Sequence, residues 1–426
     1  MKMQETGGIS RRELLKGGVA LAGAAAGMSV LAAPAVHAAD PITLRYLSTA
    51  TNQAPAIAEQ AFKDIGIKIE YVSVDTDDVT KRIITQPNSF DLVDTEYFSL
   101  KKLVPSGNLM GMDAKKIKLV DKLATVITKG EVEGKKIGDQ GTAPKKVFYL
   151  EGQHSKKFSA EPTEWITLIP TTYNADTLGI RPDLIKRPIS SWAELLNPEF
   201  KGKAAILNIP SIGIMDAAMV TEATGKHKYA DKGNMTKDEI DLTIANLIEA
   251  KKAGQFRAFW SDFNESVNLM ASGETVIQSM WSPAVTAVRL KGIECKFQPL
   301  KEGYRAWASG FALPKTLKGK QLDAAYEFIN WFLSGWAGAY LNRQGYYSAV
   351  LDTAKEHMEP YEWAYWMEGK PAEKDIHGPD GGLLEKAGAT RDGGSYVERM
   401  GAVACWNAVM DENEYMVRKW NEFIAA

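Results

Sequence analysis

Residues 191–208 read S-W-A-E-L-L-N-P-E-F-K-G-K-A-A-I-L-N. Ser191 stands at a helix N-cap position and Glu194 follows at capping-box spacing, so a short helix is expected from Trp192. Pro198 ends it. Lys-Gly-Lys then leads into A-A-I-L-N, an apolar run short enough to be a buried strand.

The chain before this stretch alternates in the same way. P-I-T-L-R-Y-L (41–47) and G-I-K-I-E-Y-V-S-V (66–74) have strand periodicity. A helix is predicted between them, over about 54–64. D-D-V-T-K-R-I-I-T (77–85) is a short amphipathic helix capped by Asp, and F-D-L-V-D (90–94) is a third, buried strand. Strand, helix, strand, helix, strand implies a parallel sheet. Ligands of open α/β sheets sit outside the carboxyl ends of the strands. That points to S-T-A-T-N-Q (48–53), with Thr49, and to T-E-Y-F (95–98), with Thr95, Glu96 and Tyr97.

Residues 110–162 are Lys-rich and weakly patterned, as surface loops and short helices are. W-I-T-L-I-P-T-T-Y-N (165–174) is strand-like. Helices are expected over 213–223, 236–252 and 322–334, and short strands at 274–281, 296–300 and 308–314. Residues 369–395 are rich in Pro and Gly and read as a long loop, and 396–424 as a closing helix.

The first forty residues follow a different plan. S-R-R-E-L-L-K (10–16) precedes an Ala/Gly-rich apolar stretch, and P-A-V-H-A-A-D (34–40) supplies small residues for cleavage after Ala38 or Ala39. This is the order of a secretory signal, and its Arg pair fits the twin-arginine type. Setting aside the charges before residue 39 leaves 47 Lys and Arg against 51 Asp and Glu, no footprint for nucleic acid. A mature chain of about 390 residues exceeds what one core supports and suggests two lobes. Eleven Trp and fifteen Tyr suit both core packing and an aromatic ligand cleft. The spacing of the two cysteines, Cys295 and Cys405, leaves their pairing open. No P-loop, G-x-G-x-x-G, G-x-S-x-G or H-E-x-x-H motif occurs, and His154, His227, His357 and His377 lack metal-ligand spacing. No cofactor, metal or catalytic group is therefore expected.

The stretch W-A-E-L-L-N-P-E-F-K-G-K resembles the hallmark of the extracellular solute-binding proteins of ABC importers, nearest the spermidine/putrescine-binding branch. F-D-L-V, R-A-F-W-S-D, M-A-S-G-E-T-V-I-Q-S-M-W-S-P-A, K-E-G-Y-R-A-W-A-S-G-F-A-L-P and G-Y-Y-S follow in family order along most of the mature chain. The resemblance implies an α/β, two-lobe periplasmic-binding-protein fold, with a ligand cleft between the lobes and a hinge. It implies a small organic solute and the importer's membrane subunits as partners, a monomer, and no enzyme activity. The expected organisation is a signal over 1–39, lobe 1 from 40–168 plus 283–312, lobe 2 from 169–282 plus 313–350, and a helical extension over 351–426.

The family's motifs carry Tyr97, Trp281, Trp307 and Tyr346 to the site. Trp faces suit a cation or an aliphatic chain. Polyamine binders place an Asp two residues after the second Trp, where this chain has Ser309. They also carry an acidic loop where this chain reads I-P-S-I-G (209–213). Ser211, Ile212 and Gly213 instead offer a hydroxyl and backbone N–H groups beside a helix start, a seat for a carboxylate, sulfonate or phosphonate. Glu96 or Asp262 remains to meet one amine. The expected ligand is an amino-acid derivative, a modified amine or another zwitterion. Two alternatives are a twin-arginine-exported redox enzyme, for which no fingerprint is found, and ferric-ion capture by Tyr346 and Tyr347. Adjacent residues of a strand face opposite sides, which argues against the second.

Overall fold

The computed structural model describes residues 41–49 and 52–426, and the expected signal lies outside them. Strand β1 (Thr43–Ser48), helix α1 (Pro55–Ile65), β2 (Lys68–Ser73), α2 (Thr76–Thr85) and β3 (Leu92–Glu96) form the first lobe. The helices form there because their apolar positions recur on one face: Ile57 and Ala61 in α1, Val79 and Ile83 in α2. Gly66, at φ 68°, closes α1 in the left-handed conformation that glycine adopts without cost. β1 pairs in parallel with β2 on one side and β3 on the other, as the alternation predicts.

Strand β4 (Ile169–Ile180) then runs through the centre of the molecule, buried along its whole length. The second lobe continues with β5 (Ala204–Leu207), α3 (Pro210–Ala223), α4 (Lys237–Lys252), β6 (Phe256–Trp260), α5 (Phe263–Ser272), β7 (Ile277–Met280), α6 (Ser282–Leu290) and β8 (Lys296–Gln298). β9 (Tyr304–Pro314) returns antiparallel to β4, and the sheet order is β6-β5-β7-β4-β9-β3-β1-β2. β4 pairs with β7 through Thr177–Ile180, while β9 pairs with β3 through Ser309–Ala312. These two long strands therefore join the β6-β5-β7 part of the sheet to the β3-β1-β2 part, and they pair with each other between them.

The opening motif anchors this junction. Trp192 is fully buried, and its indole N–H donates to the Gly303 carbonyl at 2.9 Å, just before β9. Ser191 donates to Glu302 at 2.6 Å. The expected capping box is absent: Ser191 accepts from the Ala193 N–H in a 3-10 turn, and Glu194 pairs with Arg187 instead.

Several boundaries differ from expectation. Residues 165–174 divide, with Trp165–Ile166 joining a small separate sheet before β4 begins. Helix α7 (Gly319–Leu333) packs on α1 and β1. β8 pairs with β4 at Leu178–Ile180. The closing helix is interrupted. Residues Tyr396–Gly401 are helical, β10 (Val403–Trp406) pairs in parallel with β9, and α8 (Asn413–Ala425) follows. α8 seats Met416, Trp420 and Phe423 on α3 and α4. Cys295 and Cys405 are buried free thiols, each with its pKa pushed up to about 12 by burial.

Candidate functional site

β3 ends in D-T-E, and its alternation puts Asp94 and Glu96 on one face. Both line a cavity of about 90 Å³ between the lobes. Thr49, Asn52 and Thr95 share this first-lobe wall. From the second lobe come Ile212, at the start of α3, and Phe263, Trp281 and Pro283; from β9 and beyond come Arg305, Trp307, Tyr346 and Asn407.

The aromatic groups are held rigidly. Trp281 packs edge-to-face on Trp260, with ring centroids 4.9 Å apart, and Trp307 stands similarly against Tyr346 at 5.9 Å. Such pairs favour edge-to-face geometry because the ring edge is positive and the face negative.

Two carboxyls pair with one guanidinium, and two more line the cavity beside it. Arg305 is 1% exposed. Its Nε donates to Asp216 at 2.6 Å, its Nη2 lies 3.5 Å from Asp176, and its Nη1 donates to Asn407 at 2.8 Å. Asn407, so oriented, donates through Nδ2 to Glu96 at 3.0 Å. The cation is thus spent on Asp176 and Asp216. Asp94, 3% exposed, accepts at Oδ2 from Thr171 and Tyr46, at 2.9 and 3.0 Å. Its Oδ1 receives no hydrogen bond of full geometry among the described residues, although the Asn52 side chain stands beside the carboxyl. Burial pushes Asp94 up to about 7, outweighing the stabilisation from Thr171, Tyr46 and Asn52. Burial likewise carries Glu96 to about 7 against the Asn407 bond, and Asp176 to about 6 against Arg305.

Of the residues singled out in the sequence, the cavity gathers Thr49, Thr95, Glu96, Ile212, Trp281, Trp307 and Tyr346. It does not gather the other five. Tyr97 turns into the core and donates to the Leu168 carbonyl at 2.9 Å. Asp262 caps α5, accepting from the Glu265 N–H at 3.0 Å. Ser309 is buried and pairs with Glu96 across the β3–β9 ladder. Ser211 borders a different opening beside α2. Gly213 is small for packing: a Cβ there would meet the Leu207 carbonyl at 2.3 Å and Trp420 at 2.6 Å. The anion seat expected at 211–213 is not formed, because the Ile212 and Gly213 N–H groups both donate to the Ile209 carbonyl, at 2.9 and 2.7 Å. Asp94, Arg305 and Asn407 were not anticipated. The i, i+2 spacing of Asp94 and Glu96 was the available signal for the first.

Residues 56–362 match the family model described as bacterial extracellular solute-binding protein. The chain belongs to this family. It is 24% identical over 312 residues to the spermidine/putrescine-binding periplasmic protein of Salmonella typhimurium, covering 72% of this chain and 78% of that protein. It is 24% identical over 343 residues to the putrescine-binding periplasmic protein PotF of Escherichia coli, covering 77% and 83%. Among solved structures, the spermidine/putrescine ABC transporter substrate-binding protein PotD of Streptococcus pneumoniae superposes with a TM-score of 0.60. That match has 14% identity and covers 90% of this chain and 98% of that one. This solute-binding protein therefore has the two-lobe fold. The redox-enzyme and ferric readings find no support. Among the described residues no three His, Cys, Asp or Glu converge as a metal site. Tyr346 lines the cavity, whereas Tyr347 is buried under Arg391.

Proposed function

We propose that the cleft captures a short aliphatic amine, with its ammonium group at Asp94 and Glu96 and its methylene chain between Trp281, Trp307 and Tyr346. The observation that carries this reading is Asp94 Oδ1, buried at the cavity wall with no full hydrogen bond among the described residues. A buried carboxyl with an unpartnered oxygen costs free energy, which a bound ammonium offsets by a charge-assisted hydrogen bond. Among the described residues the cation that lines the cavity, Arg305, is held by Asp176 and Asp216 and is not free to do so. The carboxylate that the resemblance expects at 309 is supplied from the neighbouring strand by Glu96, the cross-strand partner of Ser309. The small cavity and the occupied N–H groups at 212 and 213 favour a monoamine or short diamine over a zwitterion. The polyamine-binding relatives support the same chemical class.

Calorimetry with putrescine, shorter monoamines, spermidine and γ-amino acids checks this. Binding of putrescine and the monoamines, and weaker binding of spermidine, is expected; tight binding of an amino acid alone would refute it.

The remaining assignments follow from the same reading. The protein is exported by the twin-arginine route through Arg11 and Arg12, cleaved near Ala38 or Ala39, and acts as a periplasmic monomer. The lobes divide at β4 and β9, with α7 in the first. Replacing Arg11 and Arg12 together by Lys is expected to retain the protein in the cytoplasm; normal export of that variant would assign the signal to the general secretory route.

A further inference from the structure

A second buried charge cluster lies behind the cleft, where the segment after residue 376 packs on α6 and β4. It holds Arg289, Arg391, Arg399, Glu385 and Asp392 around a cavity of about 20 Å³. Arg289 pairs with both Glu385 and Asp392. Arg399, 1% exposed, is fixed by the Tyr347 hydroxyl, the Asp392 and Ala175 carbonyls and the Asn174 side chain. Arg391 is 7% exposed and has no carboxylate partner among the described residues. It donates to the Trp366 and Gly345 carbonyls, and its guanidinium lies 4.9 Å from the ring centroid of Tyr347 and 5.0 Å from that of Trp366.

The cavity lining holds three guanidinium groups against two carboxylates; Asp176 of the cleft also faces Arg399, which leaves Arg391 as the guanidinium without a carboxylate among the described residues. A buried unpaired charge is costly, and π faces and carbonyls offset only part of that cost. The cavity also receives a donor with no acceptor: Trp366 is 6% exposed, lines the cavity, and its indole N–H has no hydrogen-bond partner among the described residues. An excess cation and an orphaned N–H beside one small cavity are complementary to an anion.

We infer that this cavity is a binding site for a single halide-sized anion, chloride in solution, held between the Arg391 guanidinium and the Trp366 indole N–H. The volume sets the class: about 20 Å³ has room for roughly one water-sized particle, which excludes carboxylates, phosphate and sulfate. The anion neutralises the cluster and fastens the Arg391 loop to Gly345, the residue before the cleft's Tyr346. It is separate from the amine site, whose walls carry the opposite excess charge.

The test uses the mature protein at fixed pH and ionic strength, with sodium gluconate replaced stepwise by chloride or bromide. A saturable rise in melting temperature of about 1–3 °C is expected for both halides, as for any ligand selective for the folded state. Crystals grown in bromide should show an anomalous peak between Arg391 and Trp366. Arg391→Met should abolish the halide dependence, and Trp366→Phe, which removes only the N–H, should weaken it. Superimposable wild-type melts in gluconate and chloride would overturn the proposal, as would a bromide crystal without that peak. Both wild-type readings stand even if Arg391→Met does not fold.

Discussion

The two buried charge clusters are built alike and balanced oppositely. At the cleft, Asp176 and Asp216 hold Arg305 while Asp94 and Glu96 line the cavity with it; behind it, Arg289, Arg391 and Arg399 share a cavity with Glu385 and Asp392. Each has an inner ion-paired part, Arg305 with two aspartates in one and Arg289 with two acids in the other. Each also has an outer group left over, Asp94 or Arg391. The paired part is architecture, because breaking it strands a buried charge. The unpaired part marks a place for a ligand of opposite sign. Buried charge is thus informative here through its remainder, more than through its ion pairs.

The largest expected effect comes from the paired part. Arg305→Met leaves Asp176 and Asp216 without their cation and removes the donor that orients Asn407. A loss of about 3–5 kcal/mol is expected, measured by urea unfolding. A loss below about 1 kcal/mol would show that the two aspartates are protonated in the native protein and that the pair is not architectural.

The unpaired part should behave in the opposite way. Asp94→Asn keeps the shape and the hydroxyl contacts but removes the charge, so amine affinity should fall about 10–100-fold by calorimetry, the range expected for a charged hydrogen bond. The fold should survive, and at pH 8 the variant should melt no lower than wild type. A variant that lost stability and kept affinity would move Asp94 into the architectural class.

Proton linkage sharpens the same contrast. Asp94 and Glu96 sit near pKa 7 when folded, above the ordinary carboxyl value near 4, so the unliganded folded state holds more protons than the unfolded chain between those limits. Their contribution to stability is full below about pH 4 and is lost as pH rises through about 7. A bound ammonium requires the ionised carboxylates, so affinity should increase over pH 6–8, by up to about tenfold per pH unit for each proton released. Calorimetry in buffers of different ionisation enthalpy counts those protons; zero release at pH 6.5 would place the amine elsewhere.

The fold was legible where periodicity and caps agreed, as in β1 to β3. It was illegible where assignment depended on packing partners. Nothing in L-D-A-A-Y-E-F-I-N-W-F-L says which lobe its apolar face meets, and in the structure it meets α1. The closing segment was misread because V-A-C-W carries apolar residues at spacings compatible with either period, and only pairing with β9 makes it a strand. The aromatic side of the site was legible through its motifs. Its polar side was largely not. Asp94 was hidden in an apolar strand, and Asn407 reaches Glu96 across 311 residues of sequence through the strand that had been read as helix. Tyr97 shows the converse: beside Glu96 in sequence, it points the other way in the structure and serves the core.

The smallest expected effect concerns the aromatic walls, which both clusters use differently. In the rear cluster the rings of Tyr347 and Trp366 cover the protein's own Arg391. In the cleft, Trp307 is only partly buried, stands edge-to-face with Tyr346 and lines the cavity. Trp307→Phe keeps an aromatic face of lower electron density, whereas Trp307→Leu keeps apolar contact and removes the face. A cation over a desolvated ring gains about 0.5–2 kcal/mol, so Trp307→Leu should lose about 3–30-fold in amine affinity and Trp307→Phe appreciably less. An uncharged alcohol of the same chain length, binding weakly by apolar contact alone, should barely distinguish Trp307→Phe from wild type. Equal losses for amine and alcohol would reduce Trp307 to a packing wall. The acid pair alone would then account for recognition of the cation.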